Sequence, residues 1–337
     1  MSVRNGVPRI IVIALRILNT VTNQALRHLA CKAISARMGN TKNTAIYNEA
    51  VPKTYLNADL HCHSVVSDGT LTPEQLAQRA AARGVELWAL TDHDEIGGQH
   101  RAAAAAKAAG LDYLTGTEIS VSYAGSSVHI VGLGFDADNA ELTQGLYDTR
   151  HGRGPRAREM ARLLEEAGIP GAYEGALRHA GNPELVSRTH FARFLVETGV
   201  CSDTYEVFRR YLTEGKPGYV SHVWANLRDA VRWIVDAGGV AVIAHPARYD
   251  FSALEEYALF SEFKQLGGQG VEVITGSHRP HEYMTYADMA KEFDLAASRG
   301  SDFHSPEESQ IDLGQLPYLP SKLTPVWELL QDRIQRA

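Results

Sequence analysis

The chain has 337 residues, of which 44% are apolar and 22% charged, the composition of an ordinary globular protein with room for one large domain or a domain carrying an insertion. Its formal net charge is −7, but residues 1–54 hold eight of the 33 basic residues and one of the 40 acids, a net of +7, which leaves −14 for the remainder. An acidic body excludes broad electrostatic binding of duplex nucleic acid, and three scattered cysteines, Cys31, Cys62 and Cys201, exclude a disulfide framework and fit a reducing cytoplasm.

Residues 1–54 read as a basic N-terminal extension, expected to be mobile. The apolar run at 10–15 stops at Arg16 and is far too short to cross a bilayer, so no membrane partner is expected. From Tyr55 onward apolar runs alternate with helical stretches. A strand is expected at 56–60. Thr72-Pro73-Glu74 then opens a helix, with Thr as cap, Pro suited to the first turn and Glu at the positive end. That helix runs to about residue 83 and stops at Gly84. A strand follows at 86–91, and an Ala-rich helix at 99–109 ends on Gly110. Residues 111–114 and 128–135 are strand candidates. A long tract at 140–220 carries no strong strand signal and reads as a helical insertion. Further strands are expected at 240–244, 271–274 and 295–298, with helices between. Such alternation implies parallel strands joined by crossover helices.

Costly polar residues gather where the apolar strands end. The first strand runs into Asp59-Leu60-His61-Cys62-His63. Side chains alternate along a strand, so His61 and His63 share a face and Cys62 points away. Asp68 follows in Ser67-Asp68-Gly69. The second strand ends in Thr91-Asp92-His93-Asp94 and the third in Gly116-Thr117-Glu118. His245-Pro246 follows the strand at 240–244, and Gly300-Ser301-Asp302-Phe303-His304 follows the last. His129 begins its apolar run instead of ending it, so its position alone leaves its role open. In a parallel barrel the C-terminal strand ends lie on one rim, where active sites are built. His and carboxylate ligands without a Cys partner suit Zn, Mn or Fe. The arrangement therefore points to a metal-dependent hydrolase.

These motifs, in this order and spacing from residue 57 to 304, resemble the PHP (polymerase and histidinol phosphatase) superfamily, with His129-Ile130-Val131-Gly132-Leu133 and Ala244-His245-Pro246 among the matching segments. Ser187-Arg188-Thr189-His190-Phe191-Ala192-Arg193, Tyr211-Leu212 with Gly215-Lys216, and Arg248-Tyr249 narrow the likeness to the 3′,5′-nucleoside bisphosphate phosphatase and RNase AM group. The resemblance implies an α/β fold, a distorted (β/α)7 barrel formed by residues 55–139 and 221–337, with a small, mostly helical inserted domain at 140–220 for substrate recognition. It also implies two or three divalent ions, with Mn the usual metal of the group. His61, His63, Glu118 and Asp302 would hold one ion, Glu118 would bridge to a second completed by His129 and His245, and Asp68, His93 and His304 would hold a third. The resemblance thus makes His129 a ligand where position could not.

The implied reaction is hydrolysis of the 3′-phosphate of a nucleoside 3′,5′-bisphosphate by metal-activated hydroxide, with Asp92 a candidate for passing protons. Phosphate away from the metals needs Arg or Lys. Arg153, Arg156, Arg188, Thr189, Arg193 and Arg248 are the candidates for binding substrate. A short single-stranded RNA with a 5′-phosphate presents a similar pattern and would be trimmed in the 5′-to-3′ direction. The alternatives are a histidinol-phosphate-type phosphatase and a non-catalytic nucleotide-binding module of the same superfamily.

Overall fold

The computed structural model describes residues 55–337; the basic extension at 1–54 lies outside them. Among the described residues, nine strands fall into two sheets. Strands β1 (Ala58–Asp59), β2 (Leu87–Ala89) and β3 (Asp112–Leu114) form a parallel sheet in that order. The second sheet has the order β6-β4-β5-β7-β8-β9. Its strands are β4 (Gly116–Tyr123), β5 (Ser126–Leu133), β6 (Ala225–Asn226), β7 (Val240–Ile243), β8 (Gly270–Thr275) and β9 (Ala296–Gly300). Isolated contacts link the sheets. On one side Leu60 N–H donates to Arg299 O at 3.0 Å and Cys62 bridges Phe303; on the other His93 bridges Glu118. A closed seven-stranded ladder is not formed among the described residues, because the regular strands break off where the His- and Asp-bearing segments begin.

One strand runs against the expected direction. β4 turns through Ala124 (φ 47°) and Gly125 (φ 81°) into β5, and β5 pairs antiparallel with both β4 and β7. Two consecutive positive φ values are what a tight two-residue hairpin requires. All other pairings are parallel. The start of β5 therefore lies at the same edge as the ends of its neighbours.

The parity of the sheet residues separates two cores. Val131, Leu133, Val240, Val242 and Ala244 face the first sheet and pack with Leu60, Leu87, Ala89, Leu114 and Trp327. Their sequence neighbours Ile119, Val121, Val128, Ile130 and Ile243 face the helices. Both faces are buried, which is why these strands read as unbroken apolar runs. Helix α1 (Pro73–Ala82) carries the expected Thr72 cap, completed by Gln75, and α2 (Gln99–Ala109) ends on Gly110 at φ 75°.

Between β5 and β6 lie α3 (Ala140–His151), α4 (Arg153–Glu166), α5 (Ala172–His179), α6 (Arg188–Glu197) and α7 (Thr204–Val207), the last running into a π-helical turn at Phe208–Leu212. Leu142 and Leu146 of α3 enter the main core, whereas α4 to α7 close around Met160, Leu164, Phe191, Leu195 and Val207. The satellite core thus begins at α4. The remaining long helices, α8 (Leu227–Asp236), α9 (Ala253–Gln265) and α10 (Pro280–Glu292), cover the second sheet. No helix among the described residues is long and apolar enough to cross a membrane.

Candidate metal centre

Glu118 is the third residue of β4 and shares the inward parity of Val131, its partner on β5. It is fully buried, which an unpaired carboxylate does not tolerate. Its Oε1 lies 2.8 Å from both His129 Nδ1 and His245 Nε2. Its Oε2 lies 3.3 Å from the Nε2 atoms of His61 and His63, and 2.9 Å from His93 Nδ1. Five imidazoles from four stretches of chain thus converge on one carboxylate. His129 reaches it because β5 is reversed: the residue that opens this strand sits where the others close.

His63 Nε2 also stands 3.2 Å from His61 Nε2 and 3.2 Å from Asp302 Oδ1. Asp68 Oδ1 faces His304 Nε2 at 3.4 Å and His93 Nε2 at 3.8 Å. All nine expected ligand residues fall into four overlapping groups: His61, His63 and Asp302; His61, Glu118 and His245; His93, Glu118 and His129; His63, Asp68, His93 and His304. This partition differs from the expected one in placing His63 beside the Asp68 group and His93 beside Glu118.

The donor set fits divalent cations. His63 Nδ1, Asp68 Oδ1, His93 Nδ1, Glu118 Oε2 and His245 Nδ1 are buried, and the contacts they make lack hydrogen-bond geometry; such groups are costly unless something satisfies them. Two nitrogens bound at about 2.1 Å to one tetrahedral or octahedral ion stand roughly 3.0–3.4 Å apart, and the His61–His63 separation lies in that interval. Charge is distributed accordingly. Burial opposes ionisation of Glu118, but His129, His93 and His61 hold it well below the usual carboxylate range. Burial, then the neighbouring His304 and His93, push His63 down to about 3, and burial with Arg248 brings His245 to about 3. Both rings are neutral at pH 7, the form that binds a metal. Burial also works against a charge on His304, yet Asp68 and Asp302 raise it to about 9.

The scaffold accepts strain here. Of the five non-glycine residues with positive φ among those described, Asp94 (49°), His245 (27°) and Asp302 (56°) adjoin or belong to the cluster. Gly300 packs so closely that a Cβ would lie 2.3 Å from His61 Cβ.

Asp92 does not face this cluster as a proton carrier. Oδ1 accepts from Ser64 N–H (2.7 Å) and the Ser67 hydroxyl (2.6 Å), and Oδ2 from the Ser64 hydroxyl (2.7 Å), so it holds the turn leading to Asp68. Among the arginines, Arg193 is turned away: it forms a two-pronged ion pair with Glu308, 2.7 Å at each prong, outside the cleft. Arg153 lines the cleft but is bound to the Asp94 carboxylate and the Ser120 hydroxyl, with its guanidinium 4.6 Å above Trp224. Arg156, Arg188, Thr189 and Arg248 line the same cleft as Asp68, His93, His129 and His304. Arg248 Nη1 donates to Asp302 Oδ2 at 2.9 Å. Arg156 and Arg188 form no ion pair among the described residues; burial, then Arg188 and Arg153, pull Arg156 down to about 9, and burial with Arg248 lowers Arg188.

Three contributors were not anticipated. Ser187 caps α6 and donates its hydroxyl to Asp68 Oδ2 at 3.0 Å. Trp224 forms part of the cleft wall. Glu272 lies within β8 and touches both His61 and His245. A single carboxylate in the wholly buried strand Gly270–Thr275 was the signal that could have found it.

Known proteins place this geometry. Residues 59–182 match the PHP domain model. The chain is 52% identical over 280 residues to a 3′,5′-nucleoside bisphosphate phosphatase of Chromobacterium violaceum, covering 83% of this chain and 98% of that protein. It is 44% identical over 270 residues to a 5′-3′ exoribonuclease of Haemophilus influenzae, covering 80% and 97%. A solved structure of a Chromobacterium violaceum amidohydrolase with bound sulfate superimposes with a TM-score of 0.81 at 52% identity, over 83% of this chain and 98% of that one. Relatives so similar over nearly their full length, together with the domain match, establish that the chain belongs to the PHP domain family.

Proposed function

We propose that the chain is a metal-dependent phosphoesterase that removes the 3′-phosphate of nucleoside 3′,5′-bisphosphates and trims short 5′-phosphorylated RNA from its 5′ end. The observation that carries this reading is the shared cleft: Arg156 and Arg188, which form no ion pair among the described residues, line it together with Asp68, His93, His129 and His304 of the cluster. A ligand with two phosphates a ribose apart matches that layout, one on the arginines and one at the cluster. The names of the Chromobacterium and Haemophilus relatives carry the same two substrates.

His61, His63, Glu118 and Asp302, with His129, His245, Asp68, His93 and His304, would hold two or three divalent ions, manganese being our choice. Bound ions would supply hydroxide at neutral pH and neutralise phosphoryl oxygens. The chain's own residues do the rest. Arg188 and Thr189 open α6, so the positive end of that helix adds to the guanidinium charge facing a 5′-phosphate. Arg156 donates Nε–H to Val220 O at 3.0 Å, which fixes its plane and leaves its terminal nitrogens for the ligand. Arg248 is tied to Asp302, and in this reading it would meet the reacting phosphate. Water attacks phosphorus, the P–O3′ bond breaks, the alkoxide takes a proton, and a 5′-mononucleotide and phosphate leave. In RNA the same step breaks the first phosphodiester. We read the bridged sheets as a distorted barrel, residues 140–220 as its substrate-recognition insertion, and the cytoplasm as the working compartment.

The test is phosphate release from adenosine 3′,5′-bisphosphate by metal-stripped protein, with and without Mn. Mn-dependent release of one phosphate, leaving 5′-AMP and lost in His61→Ala, supports the reading. No release with Mn, Zn or Fe, from this substrate or from 5′-phosphorylated oligoribonucleotide, overturns it.

A further inference from the structure

We infer that Glu272 is a positioning residue that sets two parts of the metal cluster at once, fixing the ring proton of His61 and the backbone of His245. Glu272 lies on β8 and is 1% exposed. Its Oε1 is 2.8 Å from His61 Nδ1, and its Oε2 accepts from the His245 backbone N–H at 2.7 Å. Both oxygens are thus engaged, each on a different residue of the cluster.

The two contacts do different things. A carboxylate accepts, so in the neutral, metal-binding form of the ring His61 Nδ1 carries the proton. That leaves the lone pair of Nε2 aimed at the space bounded by His63 Nε2 (3.2 Å), Glu118 Oε2 (3.3 Å) and Asp302 Oδ1 (3.6 Å). A metal-ligating imidazole needs this orientation, and a carboxylate on its other nitrogen is the usual means of securing it. The second contact anchors a strained backbone. His245 sits at φ 27°, a conformation disfavoured for a side chain with a Cβ, and there its Nε2 meets Glu118 Oε1 at 2.8 Å. His61 follows β1 and His245 follows β7, so one side chain on β8 aligns ligands delivered by two strands.

Substitution by glutamine separates this role from packing. Gln has the same shape but one acceptor oxygen for two donors. If its oxygen serves His245 N–H, its amide donates to His61 Nδ1, and the ring proton moves to Nε2, where it blocks the lone pair. If the amide turns over, two donors meet at His245 and its backbone anchor is lost. Either orientation spoils one half of the clamp.

The inference rests on the metal reading above but not on the substrate. The experiment is titration of the metal-free protein with Mn²⁺ by calorimetry, alongside ¹⁵N spectra of the histidine rings, for wild type, Glu272→Gln and the surface control Glu165→Gln. Affinity about 10–100-fold weaker in Glu272→Gln, with a changed His61 ring signature and unchanged far-UV dichroism, is expected; Glu165→Gln should match wild type. Wild-type affinity in Glu272→Gln, or a His61 ring that keeps its proton on Nδ1 with His245 unmoved, overturns the inference. Should Glu272→Gln fail to fold, the ¹⁵N spectrum of the metal-free wild type decides: a His61 ring with a proton on Nε2 and none on Nδ1 also overturns it. A wild type that binds no Mn²⁺, Zn²⁺ or Fe²⁺ overturns the metal reading instead.

Discussion

Arg193 and Glu308 join α6 to the loop that follows β9 through two parallel hydrogen bonds of 2.7 Å, with Arg193 only 7% exposed. Ser187 at the start of the same helix is bonded to Asp68. Helix α6 is therefore pinned to the metal-bearing edge at two points, and Arg193 serves attachment, not phosphate. Arg193→Ala should destabilise the protein by about 1–3 kcal/mol, the cost of stranding a charged hydrogen-bond partner. Denaturant unfolding measures this, and the double change with Glu308→Ala should cost less than the sum of the two single changes. The Michaelis constant for the bisphosphate should rise far less than in Arg188→Ala; an equal rise would return Arg193 to the substrate site.

Arg188→Ala should raise that constant roughly 10- to 100-fold, since a charge-assisted contact is worth about 1.5–3 kcal/mol. Turnover at saturation should change less, because the arginine acts away from the reacting bond. Steady-state kinetics separate the two parameters.

Arg156 works against unfavourable surroundings. Burial and its arginine neighbours Arg188 and Arg153 disfavour its charge, yet a guanidinium keeps its proton in a folded protein. A bound phosphate relieves that repulsion. Arg156→Ala should therefore raise the Michaelis constant roughly 10-fold or more while changing turnover less, with no new pH dependence; steady-state kinetics check this.

Metal loading should respond to pH. His304, near 9, is protonated at pH 7 and must release its proton to bind, whereas His63 and His245, both near 3, are already neutral. Occupancy of the group containing Asp68, His93 and His304 should weaken by about tenfold for each pH unit between 9 and 6. Metal content measured after equilibration across that range should fall as the pH falls, since His61 and His93 are also held above their ordinary values by neighbouring carboxylates.

Gly300→Ala should empty the centre. A methyl group 2.3 Å from His61 Cβ must displace His61 or the strand. Metal analysis should show lost stoichiometry, while Gly125→Ala, at an open hairpin tip, should cost only some stability.

Much of this was legible in the residues. Helices α1 and α2 follow their punctuation closely, because caps and glycine stops act locally. His61 and His63 share a side because alternation is a local rule. Glu118 was legible as a member of the cluster but not in its placement: its segment reads as the end of the third strand, and it lies inside a strand of its own. The Ala124-Gly125 turn lacks the Asn-Gly or Asp-Gly signature of a tight hairpin, so the reversal of β5 went unseen, and with it the reason His129 is in reach. Asp92 and Arg193 carry suitable chemistry, and only long-range partners, the Ser64 turn and Glu308, reveal that they are spent on structure. Glu272 was hidden for the same reason: its two contacts lie 211 and 27 residues away in sequence.

The residue between the two leading histidines decides what this centre tolerates. Cys62 Sγ turns from the cluster, donating to the Ala89 carbonyl at 3.4 Å and accepting from Trp88 Nε1–H at 3.2 Å. It is wholly buried, and that burial, followed by the charge of Asp59, holds the thiol protonated well above its ordinary range. One step along the backbone separates this sulfur from the imidazoles on either side. Facing inward, a thiolate would favour soft ions such as Cu(I) and would offer peroxide a target beside the reacting water. Turned outward and bonded to an indole N–H, it is shielded from both, so strand parity alone keeps sulfur chemistry out of a nitrogen-and-oxygen centre.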